Sequence, residues 1–380
     1  MDRQIDELLN KPSEEPYFLF DYHKFGRGLA HVNKNADHIS KTISSTCWMI
    51  KKDILEKQES NNGILFSAET YIIQWNFEYR LIGSEKVNIG TIFYHWKGWH
   101  ANKGFSPVPP NFDEATSIVE RICQWSEPPT FFHIFPRNLV VLDGKSIDFD
   151  TKIPHLFMVR GELREEIHIY EVVFAKSSLR SKAVFLLVVP TEKAIFSWWG
   201  ACVSAELKSL LPSLKLDQIL RTVDDTWSHF GTKQLSEGQE DFLFINDDSS
   251  YSHIHEVPNF TPRLLYCNTI TGEFLLTEVE YPLRSANHIA SFPFLQSHLY
   301  SADQPALFLL VNQSDIWIWK GSENGDEEFS KLVELAEETA FEYLKRTKIS
   351  PRKLMSVKFS EAGSEPLEFT NIFPYWIRNK

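Results

Sequence analysis

Short apolar runs recur along the chain, and three of them end with the same signature. Each is rich in β-branched and aromatic residues, which is typical of a strand, and each closes on a tryptophan with a glycine within two positions. These runs lie at 92–98, 195–200 and 316–321. Another apolar run precedes each of them, so the pattern predicts three pairs of neighbouring strands. We expect the tryptophans to lie in the core and the glycines to permit a turn.

A second motif, Glu-Pro-x-x-Phe-x-x-Ile-Phe-Pro, occurs at residues 127–136 and again at 365–374. We expect it to form a closing strand with two buried phenylalanines. Because both motifs recur in the same order, they indicate tandem copies of one domain of about 100–120 residues, a usual size for a single hydrophobic core. The predicted divisions are a polar leader over 1–40 and repeats over 41–150, 151–250 and 251–380.

Helical periodicity lies between the predicted strands. Residues 327–346 place apolar side chains in one stripe opposite a Glu-rich face, which predicts an amphipathic helix. In the first repeat Ala115, Ile118, Val119 and Ile122 fall at helical spacing and predict a helix over 113–124. Pro212 shortens any helix in the second repeat. The order strand, strand, helix, strand predicts an α+β fold, with a mixed sheet covered by a helix in each repeat.

The composition describes a packed globular protein and argues against one class of partner. Among 380 residues, 29 are Phe and 11 are Trp, which favours sheets covered by large side chains. The net charge of −12 argues against nucleic-acid binding, because contact with phosphates needs a basic surface. The longest apolar run, 183–189, is too short to cross a bilayer, and the chain does not start with a signal peptide. We expect no transmembrane segment and a cytoplasmic location.

The sequence gives little support for catalysis. The cysteines, Cys47, Cys123, Cys202 and Cys267, are far apart and form no CxxC pair, which is typical of a reduced cytosolic protein. Two histidines at 253 and 255 lack a third ligand at metal spacing, and the Gly-Arg-Gly at 26–28 is too short for a phosphate loop. We predict that the chain is not an enzyme and requires no cofactor.

These patterns resemble the gelsolin-like repeat of the gelsolin/villin superfamily. That repeat passes through a strand ending in Trp-x-Gly into a long helix, and it closes on Gly-x-Glu-Pro followed by two phenylalanines. Residues 363–366 with Phe369 and Phe373 match the closing element in the last repeat, and Glu127-Pro128 begins it in the first. In the second repeat it has decayed to residues 224–231. The resemblance implies three tandem gelsolin-like domains, each a mixed β-sheet flanked by a long and a short helix.

The resemblance also implies a function. The chain would be an actin-binding cytoskeletal protein that binds or organises filamentous actin at the cell cortex, with capping and severing as further family activities. The family's actin contacts lie largely on the long helix, here 113–124 and 327–346. Two alternatives stay open: a protein-interaction scaffold that has lost actin binding, and a peripheral phosphoinositide-binding module. Relatives with a C-terminal helical headpiece continue beyond Lys380, so we expect a short family member or a fragment.

The resemblance implies a calcium site that is altered here. The family binds calcium through an acidic residue at the start of the central strand and a carboxylate of the long helix, and calcium needs several hard oxygens at once. In the first repeat Glu69, Asp113 and Glu114 form a degenerate candidate site, and the alternative is an ordinary strand end and helix cap. Ala183 and Ala306 occupy the acidic position in the other repeats. We expect calcium binding to be weak or absent.

A basic cluster follows the last predicted helix. It could contact phosphoinositide headgroups at a membrane surface, or acidic actin surface. The alternative is a solvated helix end whose charges compensate the helix dipole. The cluster consists of Lys345, Arg346, Lys348, Arg352 and Lys353.

Overall fold

The structure is a computed structural model that describes most of the chain. The described residues are 2–9, 38–58, 63–80, 84–102, 107–110, 112–113, 118–135, 138–161, 164–214, 216–244, 260–269, 273–279, 290–312, 315–321, 327–346 and 356–377. The chain divides into two compact units. The first unit comprises residues 16–175 and 183–247, and the second comprises 1–15, 176–182 and 248–380.

Strands dominate both units. The elements in chain order are α1 (Asp2–Leu9), β1 (His38–Lys51), β2 (Ile54–Lys57), β3 (Ile64–Phe66), β4 (Thr70–Arg80), β5 (Val87–Lys97), β6 (Ile118–Cys123), α2 (Pro129–Phe132), β7 (Leu139–Leu142), β8 (His155–Arg160), β9 (His168–Val172), β10 (Val184–Val189), β11 (Ala194–Trp199), α3 (Ala205–Leu210), α4 (Leu216–Arg221), β12 (Gly231–Ser236), β13 (Arg263–Asn268), β14 (Leu275–Glu278), α5 (Gln296–Tyr300), β15 (Leu307–Asn312), β16 (Asp315–Lys320), α6 (Glu327–Arg346), β17 (Ser356–Glu361) and α7 (Leu367–Thr370).

The first sheet has the strand order β2-β1-β4-β5-β6. Its neighbours are antiparallel except β5 and β6, which run parallel, so the sheet is mixed. Alternate residues of β4 and β5 turn to one face and are fully buried there, as the two-residue period of a strand requires. On that face the Tyr94 ring meets the Phe131 ring of α2 at 5.2 Å in a T-shaped arrangement. The short helix α2 therefore closes this side of the core.

The second sheet has seven strands in the order β12-β11-β10-β8-β9-β7-β3. Two of these, β3 and β7, lie in the range predicted for the first repeat. They continue the sheet, because β7 pairs in parallel with β9 and β3 pairs in parallel with β7. The Ser67 hydroxyl donates to the Asp143 carboxylate at 2.6 Å and fixes the end of this extension. The first two sheets are thus joined within the first unit.

The third sheet, in the second unit, has the order β14-β13-β15-β16-β17. One face packs against α6, and the other packs against residues of α5 and α7. The helix α1 also contributes to the α6 side, where Ile5 is fully buried and the Gln4 side chain donates to the Phe274 carbonyl at 3.0 Å. Part of the predicted leader is therefore in the core of this unit.

The structure confirms several predicted elements. The long helix α6 spans the residues that the apolar stripe predicts, and the three tryptophans Trp96, Trp198 and Trp319 are fully buried. In the second repeat Pro212 lies in a 3-10 turn between α3 and α4, so the helix there is short. The mixed α+β architecture is confirmed in all three sheets. The predicted domain boundaries stay predictions.

The predicted helix over 113–124 is wrong, because residues 118–123 form β6. Exposure alternates along this strand: Glu120 and Ile122 are buried, while Val119, Arg121 and Cys123 are exposed. The strand pairs with β5 from Ile92 to Lys97. The apolar positions fitted a helical period, but the inward Glu120 gives the segment a period of two. Among the described residues, the third sheet is the one with a long helix.

The closing elements also differ from the prediction. The Glu-Pro motif forms the short helices α2 and α7 rather than a strand, although Phe131 and Phe369 are fully buried as expected. In the second repeat residues 224–231 are not the closing element, since they form a 3-10 turn and the start of β12. Its counterpart is Gly238-Gln239-Glu240, where Glu240 accepts a hydrogen bond from the Trp198 indole.

We predict that alanine at Gly98 destabilises the chain by about 2 kcal/mol or more, because its Cβ would lie 2.2 Å from the Ser67 carbonyl oxygen, a backbone atom that cannot turn away. The matched control is Gly321→Ala, where the clash is with the side chain of Gln304 rather than with backbone, so a rotamer change can relieve it at the cost of its hydrogen bonds to Ala306 and Ala302. Urea denaturation of both variants measures the two losses. Equal losses would show that backbone approach at Gly98 is not the constraint.

Candidate functional site

The long helix α6 carries the clearest candidate surface. Its inward side chains Phe329, Ala336, Ala340 and Tyr343 are buried against the sheet. The outward positions recur at intervals of three and four and therefore lie on one face. This outward face consists of Glu327, Lys331, Glu334, Glu338, Phe341 and Lys345. It is mainly charged, with one aromatic side chain.

Phe341 is 47% exposed in the middle of that charged face. Lys331 and Glu327 pair at 3.0 Å one turn apart, so the amino-terminal part of the face already has internal ion pairing. A large apolar side chain surrounded by charges is a usual anchor in protein interfaces, since it gains by losing contact with water. The face is suited to binding a protein.

The basic cluster at the end of α6 is partly engaged. Lys345 lies 3.4 Å from Glu342, and Arg346 lies 3.1 Å from the same carboxylate. Hydrogen bonds from Arg346 and then Lys345 lower the pKa of Glu342. Arg346 also contacts Asp6 of α1 at 2.7 Å. Lys348, Arg352 and Lys353 lie outside the described residues, so phosphoinositide or actin binding by this cluster stays a prediction.

The candidate calcium residues are not seen as one site. Glu69 precedes β4, and its backbone carbonyl accepts a hydrogen bond from Gly98. Asp113 is exposed, and Glu114 lies outside the described residues. Within the described part of the chain, no group of three or more His, Cys, Asp or Glu side chains is placed to hold a metal ion. The degenerate site stays a prediction.

Each repeat contains a buried tryptophan–carboxylate pair that sequence reasoning missed. The indole Nε1 donates to a glutamate at 2.7 Å in Trp96–Glu127, 2.8 Å in Trp198–Glu240 and 3.1 Å in Trp319–Glu365. A buried carboxylate must be hydrogen-bonded, so each pair ties the last residues of the repeat to the Trp-x-Gly strand. In the first and third repeats this glutamate is the one of the Glu-Pro motif, for which the sequence predicted a closing strand and no partner of the carboxylate.

Glu127 also links the first two sheets of the first unit. Its second oxygen accepts a hydrogen bond from the Tyr170 hydroxyl of β9 at 2.5 Å. Burial raises the pKa of Glu127, and the donors Tyr170 and Trp96 oppose that shift. Beside it the Trp125 ring stacks on Tyr170 at 4.1 Å, and the Arg160 guanidinium lies 5.6 Å from the Trp125 ring centre. This junction is rigid and aromatic.

The recurring Glu-Val pairs at 171 and 278 have equivalent partners. Glu171 contacts His155 Nδ1 at 2.5 Å, and Glu278 contacts Arg263 at 2.8 Å. The other ring nitrogen of His155, Nε2, lies 2.9 Å from the Asp150 carbonyl oxygen. Because a carbonyl oxygen can only accept a hydrogen bond, Nε2 is the donor. Glu171 therefore joins β9 to β8, and Glu278 joins β14 to β13, each through a basic side chain.

Sequence comparison places these features among known proteins. No protein-family description matches the chain. Supervillin from Bos taurus is 28% identical and aligns with 92% of this chain, gelsolin from Drosophila melanogaster is 26% identical over 83% of it, and advillin from Mus musculus is 25% identical over 87%. The chain spans 18%, 36% and 38% of these relatives.

These relatives confirm the resemblance to the gelsolin/villin superfamily that the repeats predict. Within it, the similarity to supervillin extends over nearly the whole chain. Solved structures of gelsolin-type proteins were also found: Thorarchaeota 2DGel3 with rabbit actin is 16% identical, with a TM-score of 0.19, and covers 58% of this chain and 99% of its own. Thorarchaeota ProGel with rabbit actin is 17% identical, with a TM-score of 0.20, and covers 25% and 97%. In the described residues no helix is long and apolar enough to span a membrane.

We predict that the raised pKa of Glu127 makes stability depend on pH. Since the folded chain holds this proton more tightly, the contribution is fully present below the ordinary pKa of 4.5 and is lost as pH rises through the raised value. Glu127→Gln should therefore flatten the dependence of the unfolding free energy on pH above 4.5. Chemical denaturation across pH measures it. In the comparison variant Tyr170→Phe, the Glu127 carboxylate loses a hydrogen-bond donor, so its pKa should rise further. The loss of stability with rising pH should then extend to higher pH than in the parent chain. An unchanged slope in Glu127→Gln would contradict the assignment.

Proposed function

We propose that the chain is an actin-binding protein of the cytoplasmic cytoskeleton that attaches to filamentous actin at the cell cortex. The similarity to gelsolin, advillin and supervillin over most of the chain supports this proposal. The structures of gelsolin-type proteins with actin add no weight here, since their TM-scores are 0.19 and 0.20. The proposal is a binding function and includes no catalytic step.

The observation that carries the proposal is the outward face of α6, where Phe341 is exposed among charged side chains. The superfamily's actin contacts lie largely on this helix. Since residues 118–123 form a strand, the first repeat does not supply the second helix that the sequence predicted. We therefore assign filament contact to α6 of the third repeat, with Phe341 as its anchor. This site needs no bound metal, so we propose binding without a calcium requirement.

Co-sedimentation with filamentous actin tests the function. We predict saturable pelleting of the full chain in calcium and in chelator alike, because α6 is folded by its own apolar contacts. Pelleting only in calcium would mean that Glu69 and Asp113 still take part in a metal-controlled switch. If the chain pellets in neither condition, actin binding is excluded and the scaffold alternative replaces it.

We predict that Phe341→Ala weakens filament binding about tenfold, the loss typical of an interface anchor. The side chain is exposed, so folding should be unchanged and the thermal transition should stay within experimental error of the parent. Phe242→Ala is the matched control, since Phe242 is 51% exposed but lies in the other unit. Equal affinity of the two variants would remove α6 from the actin interface without excluding actin binding itself.

A further inference from the structure

In the first sheet, the face opposite the buried Trp96 carries polar residues at positions where the third sheet has apolar ones. In the third sheet this face lies under α6, and Val311 and Ile318 belong to the apolar cluster that α6 covers. The pairings of Tyr71 with Trp96 and of Phe308 with Trp319 align the two sheets. In that alignment Gln74, His95 and Arg121 of the first sheet stand where the third has Val311, Ile318 and Phe359.

The first sheet also lacks the covering helix in its described residues. Residues 98–102, 107–110 and 112–113, which are the described part of the connection between β5 and β6, are not helical. Phe112 covers one end of the face by an edge contact with Phe93 at 5.6 Å. Trp48, Ile72 and Phe93 form a buried cluster there, and the described residues place no helix over the β5–β6 side of the face. There Ile89 is 72% exposed and Val119 is 41% exposed.

Polar side chains on this face are satisfied by one another. Asn76 donates to the Ser44 hydroxyl at 2.9 Å and accepts from the Thr91 hydroxyl at 2.7 Å. A sheet face with such a ladder is stable in water without a permanent cover. It also has the mixed polar and apolar character of a surface that binds and releases a partner.

The open face is basic although the whole chain carries a net charge of −12. Lys97 and Arg121 flank His95 on adjacent strands. Burial and then the positive charges of Arg121 and Lys97 lower the pKa of His95. Among the described residues, no ion pair joins Lys97 or Arg121 to a carboxylate. The concentration of positive charge is therefore uncompensated within that part of the chain.

We propose that this face, called here the basic sheet face and formed by Ile89, His95, Lys97, Val119 and Arg121, binds an acidic amphipathic helix of a partner protein. The third sheet shows that such a face can hold a helix, because there the corresponding face packs against the apolar stripe of α6, and the charges of Lys97 and Arg121 favour a helix with carboxylates beside that stripe. On the first sheet, carboxylates of the incoming helix would meet Lys97 and Arg121, and its apolar side chains would cover Ile89 and Val119. A second copy of this chain is a poor source, because the apolar stripe of its α6 is already buried. The proposal is independent of actin binding.

A synthetic peptide with the sequence of Glu327–Arg346 is the probe, because it is an acidic amphipathic helix of known fit to a gelsolin-like sheet. The dye-labelled peptide is titrated with the full chain, and fluorescence anisotropy reports binding. We expect saturable binding that weakens with salt and falls at least about tenfold in the double variant Lys97→Glu, Arg121→Glu, as expected for the loss of complementary charge. Ile89→Asp should weaken binding as well.

Two controls separate recognition from general charge effects. Lys152→Glu changes an exposed lysine elsewhere in the same unit and should leave the affinity within about twofold, since an isolated surface charge acts weakly at a distance. A peptide with Glu337→Lys and Glu342→Lys, two half-buried glutamates that border the apolar stripe, should bind the double variant better than the parent chain. Thermal melts confirm that each variant is folded.

The outcomes decide the proposal. The proposal is supported if the charge-reversed peptide prefers the charge-reversed chain and if Ile89→Asp weakens peptide binding. Absence of binding to the parent chain, or equal binding to the parent and the folded double variant, would overturn it. Concentration-dependent self-association of the chain that is lost in the double variant would also overturn it, because the occupant would then be a second copy.

Discussion

The hydrogen bond between a buried indole and a buried carboxylate is the constraint on which the rest of each repeat depends. A carboxylate removed from water is tolerated only when donors surround it. In each repeat the tryptophan at the end of a central strand supplies one such donor to Glu127, Glu240 or Glu365. This bond fixes where the chain turns after its parallel strand. The phenylalanines that follow can then close the core.

The sequence predicted the elements whose periodicity is long and unambiguous. Twenty residues of helical pattern identified α6, and six consecutive apolar residues identified β10. Shorter segments were misjudged for physical reasons. Around Val119 the apolar spacing fits a helix, but the segment forms a strand because it hydrogen-bonds to β5 and buries Glu120.

The closing element of the second repeat was missed because its proline is replaced. Asp241 follows Glu240 where the other repeats have proline after the glutamate, so a search for Glu-Pro could not find it. Spacing gave no help either, since the tryptophan and its glutamate are separated by 31, 42 and 46 residues in the three repeats. Only the three-dimensional contact reveals the equivalence. The outward face of α6 was predictable from its period, whereas the basic sheet face was not, because it depends on which strands become neighbours.

The pairing of β7 with β9, and of β3 with β7, has a consequence for the modularity of the protein. A repeat that completes its neighbour's sheet cannot be exchanged, duplicated or lost alone without leaving unpaired strand edges, which invite aggregation. The first two repeats therefore depend on each other structurally, although each has its own Trp-x-Gly motif. The third sheet is made only of strands from its own part of the chain. The boundary before the third repeat therefore separates sheets, although the unit of the third sheet also includes α1 and residues 176–182.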